Sequence, residues 1–171
     1  LDAIRSIIRT VPDFPKPGIQ FRDITPLLAD PKLMLRTVEA LVQPFMDADI
    51  SAVAGMEARG FIFGALAAQL LGAGFVPLRK PGKLPADVHR IDYDLEYGSA
   101  SLELHRDAIA PGGRVLIVDD LLATGGTAAA SCALIEAGGG QVSGCAFVVE
   151  LDDLGGRDRL HPYRTHSLIR Y

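Results

Sequence analysis

Tryptophan is absent from the 171 residues, cysteine occurs twice and histidine four times. No C-x-x-C or H-x-x-x-H spacing appears, and the scattered histidines form no metal-ligand pattern. Cys132 and Cys145 both lie in apolar surroundings and read as buried free thiols in preference to a disulfide or a metal pair. Lys and Arg number 17 against 21 Asp and Glu, for a net charge of −4. No basic block is present, so no nucleic-acid partner is expected. A secretory leader is also missing from the start of this sequence, and a cytosolic protein is expected. The longest uncharged run, from Phe61 to Leu78, approaches the length of a membrane span. Gly64, Gln69, Gly72, Gly74 and Pro77 interrupt it, so it reads as a buried helix, a glycine stop and a buried strand, with no membrane partner. Internal repeats, linkers and low-complexity segments are lacking too. With 49% hydrophobic residues, one domain over 1–171 with a sizeable core is expected.

The most informative stretch runs Val115-Leu116-Ile117-Val118-Asp119-Asp120-Leu121-Leu122-Ala123-Thr124-Gly125-Gly126-Thr127. Its four leading apolar residues have the composition of a strand buried on both faces, as in the interior of a parallel sheet. Two carboxylates, a Thr-Gly-Gly-Thr turn and an Ala-rich helical segment from Ala128 to Ala137 follow. In an open α/β sheet, ligands bind at this carboxyl edge. Gly125 and Gly126 permit positive φ and let successive amides surround an anion, aided by the helix N-terminus and the hydroxyls of Thr124 and Thr127. A phosphate monoester suits that turn. Ionised Asp119 and Asp120 accept hydrogen bonds from a ribose diol and place negative charge near a cationic carbon. No Lys follows the glycines, which excludes G-x-x-x-x-G-K-[ST] and argues against a nucleoside triphosphatase.

Along the rest of the chain, Leu1 to Thr10 reads as a short amphipathic helix. Residues 11–18 hold three prolines, and 19–26 read as irregular, partly extended chain anchored by Phe21 and Ile24. Asp30-Pro31 is a helix start, N-cap then proline, for a helix reaching about Asp47. Ser51 to Ala54 reads as a short buried strand. In Gly55-Met56-Glu57-Ala58-Arg59-Gly60, Arg59 suits either an anion or an ion pair with Glu57 or a surface acid. A helix over 61–71 and a strand over 74–78 precede Arg79-Lys80-Pro81-Gly82-Lys83. That cationic run suits a solvated loop, yet after a buried strand it also stands near the sheet's carboxyl edge. Residues 93–97 and 101–104 alternate around Gly98-Ser99-Ala100, as a β-hairpin able to act as a lid. Gly138 to Gly140 close the Ala-rich helix, Gln141 to Glu150 form a strand, and Tyr163 to Tyr171 add an edge strand. The fold class is therefore α/β, with a mostly parallel central sheet of about five strands flanked by helices.

The run from Val118 to Thr127 resembles the phosphoribosyl-pyrophosphate (PRPP) binding motif of type I phosphoribosyltransferases, and its form is similar to that of the adenine-specific branch of the family. Pro12 to Gly18 and Phe21 to Leu27 resemble that branch's N-terminal hood, at about residues 11–29. The resemblance implies that Phe21 stacks on the purine and that backbone near Gln20 and Arg22 reads its edge, with Leu121 on the opposite face. Ala123, Thr124, Gly125, Gly126 and Thr127 would grip the 5′-phosphate, and Asp119 and Asp120 the ribose. Arg59, together with Arg79, Lys80 and Lys83 in a segment similar to the family's Arg-Lys-x-Gly-Lys-Leu-Pro, would neutralise the pyrophosphate. Leu95 to Gly98 resemble the tip of a lid spanning about 80–105, where Glu96 would manage the base's proton; a solvated strand face is the alternative for Glu96. His89 to Asp92 depart from the family pattern. The implied reaction converts adenine and PRPP to AMP and pyrophosphate, with Mg²⁺ carried mainly by the substrate and a homodimer as the assembly. Transfer to hypoxanthine, guanine, xanthine or orotate is the alternative chemistry, and a PRPP-sensing regulator the alternative class.

Overall fold

The apolar run at 115–118 lies at the centre of a five-stranded parallel sheet in the computed structural model, which describes residues 1–94 and 98–171. In chain order, helix α1 (Asp2–Ile7) leads into strands β1 (Arg9–Pro12) and β2 (Gln20–Asp23) and helices α2 (Thr25–Ala29) and α3 (Pro31–Val42). Strand β3 (Ala52–Met56), helix α4 (Gly60–Leu71) and strand β4 (Gly74–Leu78) follow, then the antiparallel pair β5 (Val88–Asp94) and β6 (Ser99–His105). The chain ends with β7 (Arg114–Leu122), α5 (Gly126–Ala137), β8 (Gln141–Glu150), α6 (Gly156–Arg159) and β9 (Thr165–Arg170). Sheet order is β4-β3-β7-β8-β9. From β3 the chain moves outward to β4, and from β7 it moves outward the other way. Between β3 and β7 lies the switch point where such a sheet leaves a crevice at its carboxyl ends.

Burial on both faces fixes β7 in place. Leu116 and Val118 pack with α3 and α4, whereas Val115 and Ile117 pack with α5, and all four are fully buried. Each contributes about 1.5–3 kcal/mol relative to exposure, so a slipped register is strongly opposed. Cys132 of α5 and Cys145 of β8 lie in the α5-side core as free thiols, their sulfurs 3.6 Å apart.

Helix α3 starts as its sequence requires: the Asp30 carboxylate accepts from the amides of Lys32 (3.0 Å) and Leu33 (2.9 Å), with Pro31 at the first position. It stops at Val42, short of the expected Asp47, and a 3₁₀ turn, Gln43–Phe45, follows. Pro44 has no N–H to give the Ala40 carbonyl. His166 of β9 takes up that acceptor instead, with Nε2 at 3.2 Å. Helix α4 ends at Gly72, whose φ of 63° closes the helix in the left-handed region. Its outward face is not buried as expected, because Ile62, Leu66 and Leu70 are 40%, 43% and 40% exposed. Among the described residues, no helix is long and apolar enough to cross a membrane.

Two further segments differ from their sequence reading. The expected ten-residue N-terminal helix ends at Ile7, and the supposedly irregular arm is an antiparallel hairpin pairing Arg9 with Asp23 through Pro12 with Gln20. In the second hairpin β5 begins at Val88, earlier than expected, and pairs with β6 from Val88↔His105 to Asp94↔Ser99. Leu95, Glu96 and Tyr97 lie outside the described residues.

The first hairpin is tied down from β9. The Tyr171 ring lies between two guanidinium groups, with Arg22 Cζ 3.7 Å and Arg5 Cζ 5.0 Å from its centroid. Arg22 Nη1 also donates to Thr10 Oγ1, and Arg5 Nη2 to the Arg170 carbonyl. Cation–π contacts of this kind are worth about 0.5–2 kcal/mol. Tyr171→Ala should therefore speed amide exchange of β1 and β2 by about fivefold while leaving β7 unchanged, whereas Tyr171→Phe should leave both unchanged. Hydrogen-exchange mass spectrometry measures the difference.

Candidate active site

At the carboxyl end of β7 the chain passes through Asp119 and Asp120, turns, and enters α5 at Gly126. Gly125 has φ 77°, and a Cβ there would stand 2.6 Å from the Gly156 carbonyl oxygen. Only glycine satisfies both constraints. Helix α5 carries no side-chain cap, so its first amides keep their donor capacity for an anion. They face a cavity of about 220 Å³ lined by Met56, Arg59 and residues 119–128. Thus Ala123, Thr124, Gly125, Gly126 and Thr127 share one cavity wall with Asp119, Asp120 and Leu121.

Helix α4 reaches the same place from β3. A Cβ on Gly60 would lie 2.8 Å from Asp119 Oδ1 and 2.9 Å from the Val118 carbonyl, so glycine allows the helix start to touch β7. Arg59, at the N-cap of α4, then reaches across the switch point, and its Nε lies 2.5 Å from Asp120 Oδ2. Glu57, the partner that sequence proximity suggested, instead receives Arg79 Nε at 3.2 Å and the Lys80 amide at 3.1 Å. The amide bond first, and the Arg79 guanidinium after it, hold the Glu57 carboxyl below its usual value. Asp119 behaves oppositely. Burial, then the charge of Asp120, push its carboxyl well above the ordinary range, despite an amide bond from Asp120.

The remaining expected residues are placed less tightly. Arg79, Lys80 and Lys83 follow β4, two strand positions from β7 and so roughly 10 Å across the sheet. None lines the cavity. Arg79 is partly buried and Lys80 and Lys83 are exposed. Their loop is braced by the Gly82 amide, which donates to Glu103 Oε2 at 2.9 Å, and by Arg79 Nη1, which donates to the Lys83 carbonyl. Phe21 sits in a separate hollow with Val11, Phe14 and Asp23, its ring edge-on to Phe14 at 5.1 Å. Gln20 is exposed, and the Arg22 side chain is turned to Tyr171, leaving only its backbone for a base. Glu96 lies outside the described residues.

Sequence reasoning missed Tyr93, whose hydroxyl lies 3.2 Å from Thr127 Oγ1, and the Glu57 and Glu103 carboxylates that brace the cationic loop. It also missed Gly156 beneath the turn. In the sequence around it, the Gly155-Gly156 pair carried the signal of a close approach.

A divalent ion fits this cavity in one way. Among the described residues no three His, Cys, Asp or Glu side chains stand together as a metal site, and Asp120 is engaged by Arg59. The residues present therefore suit an ion held mostly by substrate oxygens.

A switch-point cavity with an amide-lined turn, an acidic pair and an arginine defines a phosphoribosyl transferase domain, and the family model of that description matches residues 27–169. An adenine phosphoribosyltransferase of Methylococcus capsulatus is 66% identical over 171 residues, covering 100% of both chains. The crystal structure of adenine phosphoribosyltransferase from Rhodothermus marinus matches with TM-score 0.94 and 52% identity, over 99% of this chain and 97% of that one. The enzyme from Saccharomyces cerevisiae, solved with adenine and an imino-altritol bisphosphate, matches with TM-score 0.92 and 39% identity over 98% and 97%. The chain belongs to the adenine phosphoribosyltransferase family.

Asp119 gives a pH test. Its folded pKa stands above an unfolded value of about 3.9, so the folded state binds this proton more tightly. That stabilisation is complete below about pH 4 and is lost as pH rises through the folded value. Asp119→Asn, neutral throughout, should melt with the native chain near pH 4 and above it at pH 7.5. Equal melting at pH 7.5 in a calorimeter would remove the burial argument.

Proposed function

We propose that the chain transfers the 5-phosphoribosyl group from PRPP to adenine, giving AMP and pyrophosphate. It does so as one phosphoribosyltransferase domain over 1–171, with a hood at about 11–29 and a lid at about 80–105. The observation that carries this reading is a single cavity holding an amide-lined turn, a carboxylate pair and Arg59. Residues 123–127 bind the 5′-phosphate through amides and hydroxyls. Asp119 and Asp120 accept from the ribose hydroxyls and favour the positive ring that forms as the C1–oxygen bond to pyrophosphate breaks. Arg59 exchanges Asp120 for the leaving pyrophosphate, which frees that carboxylate for the sugar. Arg79, Lys80 and Lys83 meet the pyrophosphate from the β4 side, a span of roughly 10 Å that a sugar phosphorylated at both ends covers. Mg²⁺, when bound with PRPP, supplies charge neutralisation at the diphosphate.

Adenine enters between Phe21 of the hood and Leu121, with backbone at Gln20 and Arg22 reading its amino edge. Its ring nitrogen forms the new bond to C1 and gives up a proton, which Glu96 manages from the lid. The relatives named adenine phosphoribosyltransferase support the choice of base. Incubation with PRPP, Mg²⁺ and each free base tests it: adenine should yield nucleotide, and hypoxanthine, guanine, xanthine and orotate should not. No nucleotide from any base would leave a PRPP-binding regulator as the better reading. Asp120→Asn should lower kcat about 100-fold while its circular dichroism stays native.

The reading includes a cytoplasmic location and a homodimer. Support for the dimer comes from Ile62, Leu66 and Leu70, which expose one apolar stripe on α4, the helix whose N-cap is Arg59. Leu66→Glu should shift the mass measured by light scattering from dimer to monomer; an unchanged dimer mass would place the interface elsewhere.

A further inference from the structure

The turn that follows β8 comes back under the phosphate-binding turn, and it is held there firmly. A Cβ on Gly156 would run into the Ala123 carbonyl and stand 3.0 Å from the Gly125 amide nitrogen, so the two backbones are in contact. Arg157, next along, donates to Glu150 Oε1 at 2.9 Å and Oε2 at 2.5 Å, and to the Thr165 carbonyl at 2.7 Å. Glu150 is 2% exposed at the end of β8, so this pair fixes α6 to the sheet. Two residues further, the Arg159 guanidinium rests on the first residue of α5: its Nη1 lies 3.5 Å, and its Cζ 3.9 Å, from where a Cβ on Gly126 would stand. Arg159 is exposed, and among the described residues it has no carboxylate at ion-pair distance.

We propose that Arg159 is a further binding residue for the 5′-phosphate, closing the phosphate from the α6 side. The inference rests on the reading of residues 123–127 as the 5′-phosphate turn. A phosphate monoester carries about −1.5 to −2 charge near neutral pH. Residues 123–127 offer it amide and hydroxyl dipoles but no full positive charge, and Arg59 is committed to the other end of the cavity at Asp120. A guanidinium at the side of Gly126 supplies that charge as a two-pronged donor, and its long arm needs only a rotamer change to reach an anion on the α5 amides. At Gly126 the guanidinium stands at ordinary van der Waals distance from where a Cβ would be, so it lies directly beside the first residue of α5. On the opposite flank, the Asp94 carbonyl lies 3.5 Å from the same point and the Tyr93 hydroxyl touches Thr127, so β5 and α6 enclose the turn between them.

The test compares ligands that differ in which phosphate they carry. For Arg159→Gln, titration calorimetry should show AMP binding weakened about tenfold, pyrophosphate binding within twofold of native, and an unchanged melting temperature. The KM for PRPP should rise while the KM for adenine holds, and Arg159→Lys should recover most of the AMP affinity. AMP binding within twofold of native in Arg159→Gln would overturn the proposal, and so would an equal weakening of AMP and pyrophosphate. Should the native chain itself fail to bind AMP, the assignment of the turn falls instead, and the two failures are told apart by that control.

Discussion

The structure depends on backbone meeting backbone at the end of β7. Two helices begin there, α4 from the β3 side and α5 from β7 itself, and a third, α6, comes up beneath the turn. Gly60, Gly125 and Gly156 each occupy a contact where a Cβ would stand under 3 Å from a carbonyl oxygen. Because of those contacts, two helix N-termini converge on one cavity, and amide donors stand where water would otherwise have to be organised around an anion. The donors are fixed before any ligand arrives, so little reorganisation is needed when one binds. Side chains could not do this as well, since each would lose rotamer freedom on binding.

Charge is arranged around that frame in opposite senses. Asp119 and Asp120 are adjacent, and two like charges at a partly desolvated strand end are unfavourable. Arg59 relieves one of them, and only because Gly60 lets its helix approach. On the β4 side the arrangement is inverted: the carboxylates of Glu57 and Glu103 stand behind a cationic loop and shape it, leaving Lys80 and Lys83 in solvent. The cavity thus has an acidic centre met by Arg59, with a braced cationic loop one strand further out. That is the polarity expected for a substrate whose ends are anionic and whose middle becomes positive as it reacts.

Much of this was readable in the chain because it is local. The apolar run at 115–118 announces a buried strand, Asp30-Pro31 announces a helix start, and the glycine turn is contiguous with the helix it feeds. The β1–β2 hairpin was hidden because Pro12, Pro15 and Pro17 break the alternation that marks a strand. The end of α3 just ahead of Pro44 was within reach of the rule for proline in helices, whereas the rescue of the Ala40 carbonyl by His166 depends on where β9 lies. Partner choice was the least legible feature. Arg59 and Glu57 are near neighbours in sequence, yet each pairs across the sheet's edge, with Asp120 and Arg79 respectively. Such pairings follow from strand order, which no short stretch of sequence encodes.

The sheet's two edges carry different loads. The β1–β2 hairpin is moored through Arg22 on Tyr171, and the preceding α1 through Arg5 on the Arg170 carbonyl, while the cationic loop hangs from β4 at the opposite margin. Three strands separate these moorings, and no direct tie between the hairpin and the cationic loop is recorded among the described residues. In the proposed reaction the hood's hold on the nucleobase and the cationic loop's hold on the departing diphosphate are therefore anchored at opposite margins of one sheet. A lineage altering its choice of base would have to remodel the hood at the β9 margin in step with Leu121 on the central strand.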